Sequence, residues 1–186
     1  MVEREQEDAN TQRPGLAWLQ VPSGKKDIKA EIHRVVKSTA LFQDLPKRDW
    51  TTILGMLHLR TFKENEVVFE SGTPGLGMYV ILEGEVKIIE RGTEEDIELA
   101  RFSDGAFLGE LSLIDDLNRS ATAIAVKPTK LVGFFRPQLQ QLMHQRPKLG
   151  VILLERLAKI VFHRLRIANM QLTEAREALM HQKGDA

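Results

Sequence analysis

The sequence contains no cysteine, which excludes disulfide bonds, thiolate zinc sites and cysteine nucleophiles. It also has no excess of one charge, because 26 lysine and arginine residues balance 26 aspartate and glutamate residues. A balanced chain does not predict the basic surface that nonspecific nucleic-acid binding requires. The sequence has no apolar run long enough to span a bilayer, and the polar stretch 1–8 contains no apolar signal core. We therefore expect a soluble, cytoplasmic protein with no membrane association.

The histidines do not form a recognisable metal or catalytic set. A metal-dependent enzyme built on a β-barrel draws histidines and a carboxylate from adjacent strands. Here each histidine falls in a predicted helix or at a helix end, and none has a partner at ligand spacing: His33, His58, His144, His163 and His181. Nucleophile-elbow and P-loop patterns are also absent. We therefore predict no enzyme, no bound metal and no cofactor.

Residues 1–26 predict a flexible N-terminal tail, because they are polar and interrupted by proline and glycine. Within it, an apolar group of Leu16, Trp18 and Leu19 either packs on the domain or docks on a partner. From residue 27 the apolar spacing becomes helical, and a second amphipathic helix leads to the vicinity of His58. The tail is thus expected to give way to a folded domain at about residue 27.

Short β segments separated by glycine-containing turns dominate the centre of the chain. They lie at 67–70, 78–82, 86–89, 97–102, 121–126 and 130–135. This regular alternation of short strands and turns predicts an antiparallel β-roll or jelly-roll barrel. With the N-terminal helices and a long C-terminal helix flanking it, the fold class is α+β, and residues 27–146 form the predicted domain.

A long helix is predicted over 147–183, beginning at Pro147. Its apolar residues alternate in steps of four and three, the pattern of a coiled-coil seam: Leu154, Ala158, Val161, Leu165, Ala168, Leu172, Ala175 and Leu179. A second apolar stripe is suited to packing on the roll: Leu153, Leu157, Ile160 and Ile167. Two apolar faces imply two partners, the domain and a second copy of the helix. We therefore predict a homodimer; a single wide face folded back on one domain is the alternative.

The stretch from Phe107 to Thr122 carries the clearest chemistry. Gly109 allows a positive φ or a close approach to a ligand. The short helix that Glu110 opens begins with backbone N–H groups that have no internal partner and can face an anion. The Arg119 guanidinium matches two phosphate oxygens, whereas Glu110 suits sugar hydroxyls. A phosphate beside a ribose, as in a cyclic nucleotide, satisfies both charges.

This stretch resembles the phosphate-binding cassette of the cyclic nucleotide-binding domain family, which includes bacterial cyclic-AMP receptors and the regulatory subunits of cyclic-AMP-dependent kinase. The resemblance rests on FLGELSL at 107–113 and RSA at 119–121. It implies that Glu110 holds the ribose and Arg119 the cyclic phosphate. The ligand-binding residues that it implies in this stretch are Phe107, Gly109, Glu110, Leu111, Ser112, Arg119, Ser120 and Ala121. Members often carry an acidic residue near Leu76, which this chain lacks.

The segment around Arg164 resembles the part of the bacterial receptors' dimer helix that reaches the base of the ligand. Ala168 and Asn169 fall where those receptors place hydroxyl side chains. The Asn169 amide can pair with adenine and is predicted to reach the other subunit's ligand; a solvated asparagine is the alternative. The resemblance implies ligand-binding roles for Arg164, Ala168 and Asn169.

The resemblance implies a cyclic-nucleotide sensor, with cyclic AMP favoured over cyclic GMP. The residues after Asn169 are too few for a three-helix DNA-binding unit, so we expect a stand-alone module that does not bind DNA. Its output would be a ligand-dependent contact with a protein effector that the sequence does not name. The alternatives are a receptor for cyclic GMP or another cyclic nucleotide, and a scaffold of the same fold that has lost its ligand.

Overall fold

The structure is a computed structural model that describes residues 25–93 and 95–184. The predictions about Leu16, Trp18 and Leu19 therefore lie outside the described residues. The strands are β1 His58–Phe62, β2 Val67–Phe69, β3 Gly77–Glu83, β4 Glu85–Glu90, β5 Ile97–Ser103, β6 Phe107–Leu108, β7 Thr122–Ala125 and β8 Thr129–Phe135. The helices are α1 Lys25–Ser38, α2 Lys47–Leu54, α3 Arg136–Gln145 and α4 Pro147–Gly184, with a 3₁₀ helix over Glu110–Leu113.

Within the described residues, the strands form two four-stranded antiparallel sheets, in the orders β1-β8-β3-β6 and β2-β7-β4-β5. Side chains along β3 alternate between two cores because successive residues of a strand point to opposite faces. Met78 and Val80 face the core shared with the helices, whereas Ile81 faces the core between the sheets. The predicted α+β roll with helices at both ends is confirmed.

The helices cover the outer face of the first sheet. Phe42, in the turn between α1 and α2, meets Phe134 of β8 edge to face, with ring centroids 5.4 Å apart. Leu153 and Leu157 of α4 are buried in the same core, and Ile160 packs against it. Ile167 is exposed, so the prediction that it packs on the roll is wrong. The contact between the apolar stripe and the roll ends before this residue.

Two predicted boundaries differ from the structure. Helix α1 begins at Lys25, so the expected end of the tail at residue 26 falls inside a helix. Helix α2 ends at Leu54, and His58 lies in β1, which corrects the prediction that His58 closes a helix. His58 pairs with Gly133 of β8. The helix was predicted from the spacing of apolar residues near His58, and this local spacing contains no information about pairing with a residue as distant as Gly133.

The predicted seam divides into two halves. Leu154 packs against the helical core, and Ala158 and Val161 are half-buried. From Leu165 onward the seam residues of one chain are exposed, except that the side chain of Leu179 lies outside the described part. In the ranges 25–93 and 95–184, no helix is both long enough and apolar enough to cross a membrane.

Candidate functional site

Gly109 shapes the turn between β6 and the 3₁₀ helix. Its φ of +75° lies in the left-handed region, where side chains are strained. A Cβ at this position would collide with Nη1 of Arg119. The glycine therefore lets the arginine side chain lie directly against the backbone of the turn.

The Arg119 side chain reaches back from the end of the cassette and ties three segments together. Its Nη1 donates to the carbonyl of Gly109 (3.2 Å) and to Oγ of Ser112 (2.9 Å). Its Nη2 donates to the carbonyl of Gly77 (2.6 Å), and the guanidinium carbon lies 4.1 Å from the centroid of the Phe69 ring. Its buried Nε finds no acceptor among the described residues. The Nε–H and one N–H of Nη2 are therefore left without an acceptor among the described residues.

Arg119 is a buried cation, with only 9% of the residue exposed. Burial lowers the pKa of Arg119. Electrostatic interactions with Tyr79, Glu110 and Asp115 act in the opposite direction. Arginine nevertheless stays protonated near neutral pH. No carboxylate of the described ranges lies within ion-pair distance of it. A buried cation without a close counter-ion favours a bound anion.

Glu110 is buried, with 2% of the residue exposed, and its carboxylate is paired with the C-terminal helix. Nη1 of Arg164 lies 2.8 Å from its Oε1 and 2.9 Å from its Oε2. Nη2 of Arg164 donates to the carbonyl of Phe107 (3.1 Å). The guanidinium carbon lies 5.2 Å from the centroid of the Phe107 ring and 5.9 Å from that of Phe102. Helix α4 is thus fastened to the cassette through one arginine.

The structure brings most of the sequence-predicted residues together. Around the two charges lie Phe107, Gly109, Glu110, Ser112, Arg119 and Arg164. The other predicted residues are placed differently. Leu111 exposes its side chain, Ser120 is exposed with its carbonyl accepting from Ser71, and Ala121 is half-buried. Ala168 and Asn169 are exposed on α4. No residue of the described part hydrogen-bonds to the side-chain amide of Asn169, whose backbone carbonyl accepts from Thr173.

Sequence reasoning missed Arg136, which braces the cassette from the start of α3. Its Nε donates to the carbonyl of Ser112 (3.0 Å), and its other nitrogens bind the carboxylate of Asp116 and the carbonyl of Gly75. Ser112 therefore lies between two arginines, with its hydroxyl on Arg119 and its carbonyl on Arg136. The sequence offers no signal for this role, because Arg136 belongs to no recognised motif.

A cavity of about 600 Å³ adjoins Arg119 and contains no residue of the 3₁₀ helix or of α4. It is lined by Arg60, Val68, Phe69, Glu70, Thr73, Pro74, Leu76, Tyr79, Arg119, Phe135, Pro137 and Gln138. The cavity is therefore separate from Glu110, although Arg119 belongs to both surroundings. Among the described residues, no group of three or more histidine, aspartate or glutamate side chains is arranged to hold a metal ion.

Residues 59–146 match the family model described as "Cyclic nucleotide-binding domain". The chain is 35% identical to a protein named "Putative potassium channel protein" from Rhodopseudomonas palustris, over 73% of this chain and 35% of that protein. It is 30% identical to the cyclic AMP receptor protein of Thermus thermophilus, over 74% of this chain and 62% of that protein. The chain thus spans about a third of the first relative and less than two thirds of the second.

Solved structures show the same likeness. A crystal structure of a cyclic nucleotide-binding domain from Methylobacillus flagellatus superposes with a TM-score of 0.68 and is 29% identical. The match covers 80% of this chain and 84% of that one. Both the roll and its flanking helices are therefore shared with a solved domain.

Proposed function

Since this chain belongs to the cyclic nucleotide-binding domain family, we propose that it is a cyclic-nucleotide receptor, with cyclic AMP the preferred ligand. The observation that carries the proposal is the pair of buried, opposite charges, Arg119 and Glu110, on the two sides of the Gly109 turn. A cyclic nucleotide offers an anionic phosphate to Arg119 and its single ribose hydroxyl, at the 2′ position, to Glu110.

The phosphate of the ligand would bind Arg119. The free Nε–H provides one donor, and a phosphate can also take Nη donors now held by neutral protein acceptors. The arginine cation binds an anionic phosphate oxygen more strongly than a neutral carbonyl oxygen, because both partners are then charged, so the exchange favours the ligand. The ribose 2′-hydroxyl would donate to Glu110, whose carboxylate has acceptor positions beyond those that Arg164 occupies.

Residues 27–146 would form the ligand-binding domain and residues 147–183 a lid and dimerisation helix. Arg164 joins the two by binding Glu110. A ligand that contacts the same carboxylate changes the surroundings of this ion pair and so the position of α4. This coupling makes α4 the element that reports ligand binding.

The exposed half of the seam, from Leu165 onward, supports a homodimer. In a parallel two-stranded coiled coil each seam residue meets its symmetry mate. That arrangement sets the exposed Asn169 beside the partner subunit's seam, within reach of the base of its ligand. An asparagine amide pairs with adenine through two hydrogen bonds, which is the basis for preferring cyclic AMP.

The signal would pass to an effector protein in the cytoplasm through α4 or the N-terminal segment. The receptor would use no cofactor and would not catalyse a reaction. The name of the Thermus thermophilus relative supports cyclic AMP as the ligand.

One observation favours a second candidate, a scaffold that acts without a ligand. The Nη atoms of Arg119 already bind three protein acceptors, and Glu110 already has Arg164 as its counter-ion. A site whose charges are satisfied internally holds its shape without a nucleotide. In this alternative the cassette fixes α4 permanently, and the seam presents a constant surface to a partner.

Isothermal titration with cyclic AMP, cyclic GMP and linear 5′-AMP separates the two candidates. The receptor proposal predicts one site per chain and a lower Kd for cyclic AMP than for the other two ligands. The exposed Arg48→Ala variant on α2 is a matched control that removes an arginine outside the cassette and should bind normally. No detectable binding of any of the three would support the scaffold.

A further inference from the structure

Three aromatic side chains line the cavity beside Arg119. Phe69 and Tyr79 stack with ring centroids 6.4 Å apart, and Phe135 meets Tyr79 edge to face at 5.9 Å. All three residues remain partly exposed. Open aromatic surface inside a recess is typical of a small-molecule site, since the hydrophobic effect disfavours leaving it in contact with water.

The same cavity has an excess of positive charge. Arg119 and Arg60 line it, against a single carboxylate, Glu70. Arg119 is nine-tenths buried, and its Nε has no acceptor in the described part of the chain. Leu76 stands at the rim with 62% of its surface exposed and brings no charge of its own. The cavity therefore suits an anionic group.

From these two features, the aromatic lining and the excess of positive charge, we propose that the cavity is a second ligand site, which binds a small aromatic carboxylic acid. The ring would lie against Phe69, Tyr79 and Phe135, and the carboxylate would bind Arg119 and Arg60. The inference does not depend on nucleotide binding, because Glu110 and α4 do not line the cavity.

Arg119 belongs to both sites, so the two ligands are coupled. A carboxylate in the cavity draws the guanidinium away from a nucleotide phosphate, and the converse holds by linkage. The aromatic acid is therefore a negative effector of nucleotide binding. Cyclic AMP should in turn weaken binding of the acid.

Indole-3-acetate is the probe, and indole-3-acetamide is its uncharged control. Ligand-observed NMR and calorimetry on the full chain should show the acid binding about tenfold more tightly than the amide. Leu76→Asp places a carboxylate at the rim of the cavity. It should lower the affinity for indole-3-acetate about tenfold, because the two carboxylates repel each other. Leu76→Asn introduces a side chain of nearly the same shape as aspartate but without the charge, and should lower the affinity for indole-3-acetate far less.

Glu110→Gln distinguishes this cavity from the nucleotide site. The expected result is that indole-3-acetate binds this variant as it binds the wild type. Loss of binding in Glu110→Gln with full binding in Leu76→Asp would overturn the proposal, since the acid would then occupy the nucleotide site. Equal affinity for acid and amide, or no binding of the acid to the wild type, would overturn it as well. Titration of Leu76→Asp with cyclic AMP tests the nucleotide site separately.

Discussion

Arg164 of α4 and Glu110 of the cassette form an ion pair, with Nη1 2.8 Å from Oε1. The glutamate is buried, whereas a substantial part of the arginine is exposed. A single contact therefore links the carboxylate proposed to bind ribose to the helix proposed to carry the signal. A change in the surroundings of Glu110 therefore alters one of the contacts that hold α4, beside the burial of Leu153 and Leu157.

Loss of this pair should loosen α4 without unfolding the domain. We predict that Arg164→Met increases hydrogen exchange of the α4 amides after residue 164. A partly exposed ion pair contributes about 0.5–1 kcal/mol, or roughly two- to fivefold in local opening. Arg166→Met, at an exposed position of the same helix, is the control and should leave exchange unchanged. Identical exchange in the two variants would show that Arg164 does not hold the helix.

Arg119 is predicted to provide most of the phosphate affinity. Arg119→Ala should weaken the binding of cyclic AMP by about 2–5 kcal/mol, because charge-assisted hydrogen bonds to a buried anion are lost. Titration calorimetry measures the loss, and thermal unfolding monitors the fold, since Ser112 and Gly77 also lose their donor. A folded variant with wild-type affinity would remove Arg119 from the nucleotide site.

The exposed seam is predicted to hold two chains together. Leu165→Glu with Leu172→Glu should give a monomer, because charges in the seam would lose water without gaining a partner. Arg166→Glu with Thr173→Glu places two glutamates one residue farther along, outside the seam, and should remain dimeric. Sedimentation of both proteins is the measurement. A double-glutamate seam variant that stays dimeric would contradict the coiled coil.

Asn169 is predicted to read the base across the dimer. Asn169→Ala in an intact dimer should reduce the preference for cyclic AMP over cyclic GMP, since an amide that reads the base edge would be gone. The monomeric seam variant should lose the same preference although its Asn169 is retained. Titration of both nucleotides into both proteins provides the comparison. A preference that survives in the monomer would confine base recognition to one subunit.

The roll was predictable because its strands are marked locally. Apolar runs between glycine turns located β2, β3, β4, β5, β7 and β8, and Pro147 marked the start of α4. β6, by contrast, is only two residues long and exists through its pairing with Tyr79 and Val80. A strand of that length has no periodicity of its own, so only the folded chain reveals it.

The cassette was predictable for a different reason, namely that its residue types and spacing carry chemistry. Gly109, Glu110 and Arg119 lie close together as the pattern implied. The bracing by Arg136 and the cavity at Phe135 arise from segments distant in the sequence. Their partners are decided by tertiary packing, which the spacing of residues along one segment does not record.

The most direct test of the proposed nucleotide site combines a change in the ligand with a change in one residue. Cyclic AMP and 2′-deoxy cyclic AMP are titrated into the wild type and into Glu110→Gln, and the four affinities form a cycle. If Glu110 accepts from the 2′-hydroxyl, the deoxy ligand should lose about 1–3 kcal/mol with the wild type, because the buried carboxylate keeps its desolvation cost. The loss should be much smaller in Glu110→Gln. Equal affinity of the wild type for the two ligands would contradict the assignment of Glu110, and with it the nucleotide site built on Glu110 and Arg119.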